Sequence, residues 1–437
     1  MRNARIFLFT PFLIFESMRL NNVLLLLIIS AKLHAQTRTY VEDLNALKSI
    51  VQKTASFKAQ IKGDKLADYN KLYNRLLADS NNSTSSIAYF YNLSKMLFPI
   101  RDNHVGFYQL PNYDHFKTKE SIDSFVSSKL FGEYPTVAMD IDSLMLNLAT
   151  KPIDSVEGIY HYGKFYRVGV FKNNDKEYIG VVLDSEINLW KKGQIAFYLY
   201  ESDQHIYKAI YGHPYLKFFI FQPIEKYQNQ SLVYSSFYGS FTQEVYAKKI
   251  KEVEYVNLPK QSQKFSFKNI NDSIQYILIQ TFQANSATSQ ISQRFHDSIS
   301  NLLNKPYLIL DLRNNEGGAE KEMNKYLKLL KNYTKKGQLI LLVNNGTLSQ
   351  AEIFTLELKQ LNNVTVLGQQ TKGMLAYGSN YGKKQKLPSG NFEIYPTDMN
   401  NGTALLSYED YGIKPDIILR ADQDWIEQAV YFIKGKK

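Results

Sequence analysis

Ser349 has the sequence neighbours of a reactive hydroxyl. Upstream, the mostly apolar run Tyr307 to Leu312 ends in Arg313-Asn314-Asn315-Glu316-Gly317-Gly318. A second run, Leu339 to Val343, ends in Asn344-Asn345-Gly346-Thr347-Leu348-Ser349 and opens the pattern Gln350-Ala351-Glu352-Ile353-Phe354. Two short apolar runs, each followed by a polar turn and a helical pattern, predict buried parallel strands feeding helices. Ligands of such folds bind beyond the carboxyl ends of the strands. Ser349 is therefore expected at the mouth of a sheet and the start of a helix. Free N–H groups and a partial positive charge at that helix end suit a developing oxyanion. The same position suits an ordinary N-cap serine, and this segment alone does not separate the two.

Four motifs stand in order around it: Leu310-Asp311-Leu312-Arg313-Asn314-Asn315-Glu316-Gly317-Gly318, Gly346-Thr347-Leu348-Ser349-Gln350-Ala351-Glu352-Ile353, Gly368-Gln369-Gln370-Thr371-Lys372-Gly373 and Gly412-Ile413-Lys414-Pro415-Asp416. Together they resemble the core of the C-terminal processing and tricorn-type serine peptidases, a family that includes the interphotoreceptor retinoid-binding proteins. The resemblance covers roughly residues 265–420 and is weaker toward the N-terminus. It implies a ClpP/crotonase-like αβ peptidase core and makes Ser349 the nucleophile. It also implies an oxyanion hole built from the N–H of Gln350 and an N–H of the Gly317-Gly318 turn. Glycines suit that turn because backbone must approach the substrate closely. Glu316 stands where the family usually has a third glycine.

A serine hydroxyl needs a base to act at neutral pH. One design in the family uses a lysine in a Thr-x-Gly-Lys-Gly turn. Here Met374 occupies that register, and methionine cannot take a proton. Lys372 lies two residues early, where a solvated turn lysine is expected, although a buried lysine tuned downward could serve as base. The tricorn-like design uses a histidine from the helical region and a distal glutamate. Arg101-Asp102-Asn103-His104-Val105-Gly106 resembles the segment that carries this base, with Asn103 where tricorn has a serine. Ser407-Tyr408-Glu409-Asp410-Tyr411-Gly412 resembles the segment carrying the glutamate, with Asp410 replacing an asparagine. The resemblance thus implies Ser349, His104 and Glu409 as the catalytic set. Asp311, Arg313 and Glu352 read as structural residues that fix strand and helix ends.

The rest of the chain must position these groups. Its 437 residues are 44% hydrophobic and 21% charged, a globular composition with room for two or three domains. Residues 1–35 read as an export signal: a basic start near Arg19, an apolar run from Val23 to Ile29, and a cleavage site before Gln36. An uncleaved anchor that includes Ile6 to Phe15 is the other reading, and Met18 is a second candidate start. Cleavage removes four Lys/Arg and one Asp/Glu, leaving 48 basic against 40 acidic residues. With that excess spread along the chain, nucleic acid is not an expected partner. An exported protein without any cysteine has no disulfide, no thiolate nucleophile and no lipoprotein anchor. No His/Asp/Glu cluster has metal-ligand spacing, and no cofactor is expected.

Residues 36–110 predict a helical bundle, with stripes at Leu44, Leu47, Val51, at Leu66, Tyr69, Tyr73, Leu76, and at Ile87, Phe90, Leu93, Leu97, broken by polar residues 79–86. Residues 151–262 change to short strands at about ten-residue spacing, an inserted antiparallel sandwich or barrel. Residues 263–437 form the αβ core. The function expected is an exported, periplasmic or extracellular serine peptidase acting on polypeptides, with no stable membrane insertion after signal removal. The alternative is a non-catalytic protein that binds a peptide or apolar ligand on the same fold. Asn103, Glu316 and Met374 are the departures that favour the alternative.

Overall fold

A computed structural model describes residues 38–78, 87–237, 244–249, 255–259, 262–379 and 382–435. The export segment and the polar break at 79–86 lie outside these residues.

The αβ core follows from its apolar runs. Strands β10 (Phe265–Asn269), β11 (Ile274–Ile279), β12 (Tyr307–Asp311), β13 (Gln338–Val343), β14 (Val364–Gly368) and β19 (Ile417–Ile418) form one sheet in that order. The β10–β11 pair is antiparallel and the others are parallel. Strands β11 to β14 lie side by side in chain order. Right-handed crossovers between them put the connecting helices on one face. These helices are Ser286–Ile299, Glu320–Tyr333 and Gln350–Lys359. Their Tyr326, Leu330, Phe354 and Leu358 pack against Leu308, Leu310, Leu339 and Leu341. Helix Trp425–Gly435 covers the opposite face, with Trp425, Ala429 and Ile433 against Ile309, Ile340 and Leu342. Burial on both faces is why β12 and β13 read as unbroken apolar runs rather than alternating ones.

The antiparallel region is a barrel. Its strands are β2 (Gly158–Tyr162), β3 (Tyr166–Lys172), β4 (Glu177–Ser185), β5 (Ile195–Asp203), β6 (Ile206–Gly212), β7 (Phe219–Gln228), β8 (Ser231–Leu232) and β9 (Tyr246–Ala247). Consecutive strands pair from β2 to β7; β9 joins β2 to β8, and β8 pairs back onto β7, which closes the ring. Closure leaves no free edge in the ring. Fully buried tyrosines fill its core, among them Tyr160, Tyr162, Tyr207, Tyr211 and Tyr246.

This sheet is not confined to residues 151–262. Strand β1 (Gly106–Gln109), directly after His104, pairs with β7 on one side and with β17 (Phe392–Tyr395) on the other, and β16 (Gln385–Lys386) pairs onto β17. A separate hairpin-like pair joins β15 (Tyr377–Gly378) to β18 (Met399–Asn400).

The N-terminal helices occupy residues 38–53, Ala55–Gln60, Asp64–Ala78 and Ile87–Lys95. Leu44, Leu47, Val51, Phe90 and Leu93 are buried as the stripes predict, whereas Leu66 is exposed. These helices have no core of their own. Phe90 stacks on Phe107 at 4.8 Å, Tyr89 on Phe392 at 5.2 Å and Tyr91 on Tyr198 at 5.1 Å. Helix and sheet thus share one hydrophobic core. Seven of the nine residues of Ile87–Lys95 are buried, too many for one stripe of a small bundle.

Candidate active site

Two loops leave the carboxyl ends of β12 and β13 and are stitched together by asparagines. Asn315 donates its Nδ2 to the Ile279 carbonyl at 2.9 Å, accepts from the Gly317 N–H at 2.9 Å and offers its own carbonyl to Leu348 N–H at 3.0 Å. Asn344 accepts from the N–H groups of Asn314 and Gly346, and the Thr347 hydroxyl donates to the Leu312 carbonyl. The loops touch: a Cβ on Gly317 would lie 2.7 Å from Gln350 N and 2.9 Å from Ser349 Cβ. Only glycine fits there, and its φ of +80° also favours glycine.

Ser349 sits at the turn from β13 into helix Gln350–Lys359 with φ +57° and ψ −125°. An ordinary N-cap has β-region angles. A non-glycine residue held in this sparsely populated region costs on the order of 1–3 kcal/mol and is typical of functional turns. The Ser349 hydroxyl lies 3.0 Å from His104 Nε2. The Glu352 N–H is met by the Ser349 carbonyl at 2.9 Å, and the Glu352 carboxylate reaches back to Ser349 N–H at 3.1 Å. The same buried carboxylate accepts from the Thr371 hydroxyl at 2.6 Å and from the N–H groups of Gly373 and Met374 at 2.8 and 2.9 Å. Glu352 therefore ties the serine turn to the 371–374 loop. Asp311 and Arg313 pair with each other at 2.6 Å beneath the sheet mouth.

His104 precedes β1. Its N–H donates to Asp102, whose buried carboxylate also receives the Thr397 hydroxyl. Burial pushes the His104 imidazole down to about 4, and the nearby Lys372 ammonium adds to this. His104 Nδ1 is buried without a hydrogen-bond partner among the described residues. Glu409 does not reach that nitrogen. Its Oε1 accepts from Asn103 N–H at 2.7 Å, and its Oε2 accepts from the N–H groups of Leu375 and Ala376 at 2.9 and 2.8 Å. Burial pushes the Glu409 carboxyl up to about 8, against the pull of these three donors. The Asn103 amide turns away from His104, donating to the Gly373 carbonyl at 2.6 Å and to Asp410 at 2.8 Å. Arg101 pairs with Asp410 at 2.8 Å.

The Gly317 N–H is taken by Asn315, so of the glycine pair only Gly318 has an N–H without an acceptor among the described residues. Gln350 N–H, at the first helical position, is likewise unengaged. Lys372 is not the solvated turn lysine that its register predicts. It is largely buried, its Nζ lies 4.8 Å from the centre of the Tyr234 ring, and burial lowers its pKa. The contact comes from the barrel side of the molecule, which a reading of the turn alone does not include.

Residues 273–333 and 319–419 match the model of peptidase family S41. Over that segment the chain is similar to serine-type peptidases. The match is to the family as a whole and does not single out the interphotoreceptor retinoid-binding branch. Solved structures similar to this chain include the photosystem II D1 C-terminal processing protease, at 14% identity over 89% of this chain and 94% of the other, with a TM-score of 0.36. Mature CPAF is similar at 10% identity over 88% and 93%, with a TM-score of 0.40. The tricorn protease is similar at 19% identity over 38% of this chain and 18% of its own, with a TM-score of 0.29. No curated protein sequence matches the chain. Among the described residues no helix is long and apolar enough to cross a membrane.

Proposed function

We propose that this chain is a serine peptidase of the S41 kind and cleaves polypeptides through a Ser349 acyl-enzyme with His104 as general base. The observation that carries the reading is the 3.0 Å approach of His104 Nε2 to the hydroxyl of a serine held at positive φ. The Ser349 oxygen attacks the scissile carbonyl carbon while its proton passes to His104 Nε2. The oxyanion takes hydrogen bonds from Gln350 N–H and Gly318 N–H. The carbon–nitrogen bond then breaks, and His104 returns the proton to the leaving amine. Water, deprotonated by His104, releases the acyl group and restores the hydroxyl. Glu409 serves as a positioning residue, because its carboxylate meets the backbone beside His104 rather than the imidazole. On this reading the αβ core is of the ClpP/crotonase kind.

Ser349→Ala should abolish hydrolysis of a peptide substrate that the wild type cleaves, with a circular dichroism spectrum unchanged. Loss of a hydroxyl at a helix start costs only about 1 kcal/mol. Full activity in that variant refutes the mechanism. The reading includes export: residues 1–35 act as a cleaved signal, and the working protein is periplasmic or extracellular. N-terminal sequencing should find the mature chain starting at or near Gln36, and retention of residues 18–35 refutes the cleaved signal.

A further inference from the structure

The nucleophile and the base are held by the same short loop. Glu352 links Ser349 N–H to the hydroxyl of Thr371 and the N–H groups of Gly373 and Met374. The Lys372 N–H donates to the Thr347 carbonyl at 3.1 Å, one more tie to the serine turn. From the other side, Asn103, next to His104, donates to the Gly373 carbonyl. A shift of residues 371–373 would therefore move both halves of the Ser349–His104 pair.

That loop is gripped from the barrel. Lys226 of β7 is buried, and its ammonium donates to the carbonyls of Thr371 at 3.2 Å, Lys372 at 2.9 Å and Tyr411 at 3.0 Å. An ammonium has three protons, and all three are used. Neighbouring side chains of a strand point to opposite faces. Glu225 accordingly accepts from the Tyr211 hydroxyl at 2.9 Å and the Tyr234 backbone N–H at 2.8 Å on the barrel side, while Lys226 reaches the αβ core. No carboxylate lies within ion-pair distance of Lys226 among the described residues. All three hydrogen bonds of the desolvated cation go to peptide carbonyls.

We propose that Lys226 is a positioning residue for the Ser349–His104 pair, and that the barrel is thereby a working part of the active site rather than a separate module. The proposal rests on Ser349 being the nucleophile. The charged groups facing Lys226 are Glu352 on the serine helix, Asp410 and Lys372 on the core loops, and Glu225 on its own strand. Burial outweighs the carboxylates among them and lowers the Lys226 pKa to about 8. A neutral amine has two protons for three carbonyls, so the grip weakens as pH rises through that value.

The test is the second-order rate of labelling by a fluorophosphonate, measured against pH for wild type, Lys226→Met and Lys226→Arg. Wild type should label more slowly above about pH 8. Lys226→Met should label about 10- to 100-fold more slowly at neutral pH, the scale expected for a small misplacement of reacting groups. Lys226→Arg, which stays charged, should recover part of that rate and lose the alkaline decline. Equal rates and identical pH profiles in wild type and a folded Lys226→Met overturn the proposal. So does an unchanged alkaline decline in Lys226→Arg, which decides the matter if the methionine variant does not fold. A wild type that does not label overturns the nucleophile itself, and the proposal with it.

Discussion

At the scale of single residues, the site is a neutral imidazole facing a strained serine. Ser349 and His104 were legible because their motifs are local: each sits in a short run whose spacing carries the signal. Their surroundings were not legible. Lys372 and Glu352 read in one dimension as a turn lysine and a helix-start acid. Their burial comes from segments far away in sequence, with Tyr234 over one and residues 371–374 around the other. The environment changes the expected pH dependence. An ordinary imidazole would lose its proton at about 6.5. Burial and the Lys372 charge lower that of His104 to about 4. The neutral, proton-accepting form is then present above this value and lost as pH falls through it. Peptide hydrolysis should keep most of its kcat/KM at pH 6 and decline between about pH 5 and 4. A half-maximal point between pH 6 and 7 would show an unburied imidazole.

At the scale of elements, the serine turn is fixed by neighbours rather than by its own preference. Strands β12 and β13 were readable because both faces of the sheet are buried. The glycine turn was readable because Gly317 and Gly318 must pass close to backbone. The division of labour within that turn was not, since it depends on the Asn315 side chain taking the Gly317 N–H. Glu352 is the strongest case of a structural residue with a catalytic consequence. Replacing its carboxylate by an amide sets N–H against N–H around a fully buried group. An unsatisfied buried donor costs about 1–3 kcal/mol. Glu352→Gln should therefore lower unfolding stability by about 2–4 kcal/mol and slow hydrolysis at least tenfold in the fraction that remains folded. Denaturant unfolding and activity at matched folded fraction check this. Wild-type stability and activity would show that the carboxylate does not hold the turn.

At the scale of the molecule, His104 reaches Ser349 because β1 is clamped in the barrel sheet. His104 ends the helical region, and β1 follows between β7 and β17. The sequence shows the alternation of β2 to β5 but not this clamp. Phe392–Tyr395 is only four residues, and its partner lies almost three hundred residues earlier. Barrel closure through the two-residue strands β8 and β9 is equally invisible, because so short a run has no period. The helices, the barrel and the segment around Phe392 share one core, so His104 and Ser349 meet only in the folded whole. The most direct measurement of that meeting is fluorophosphonate labelling with mass-spectrometric mapping, applied to wild type, His104→Ala and Lys372→Ala after each is shown to be folded. Wild type should carry the label on Ser349. His104→Ala should lose about three orders of magnitude or more in labelling rate, because the hydroxyl has no other acceptor in reach. Lys372→Ala should still label, since its register does not match a catalytic lysine. A reactive His104→Ala beside an inert Lys372→Ala would contradict the assignment and make lysine the base.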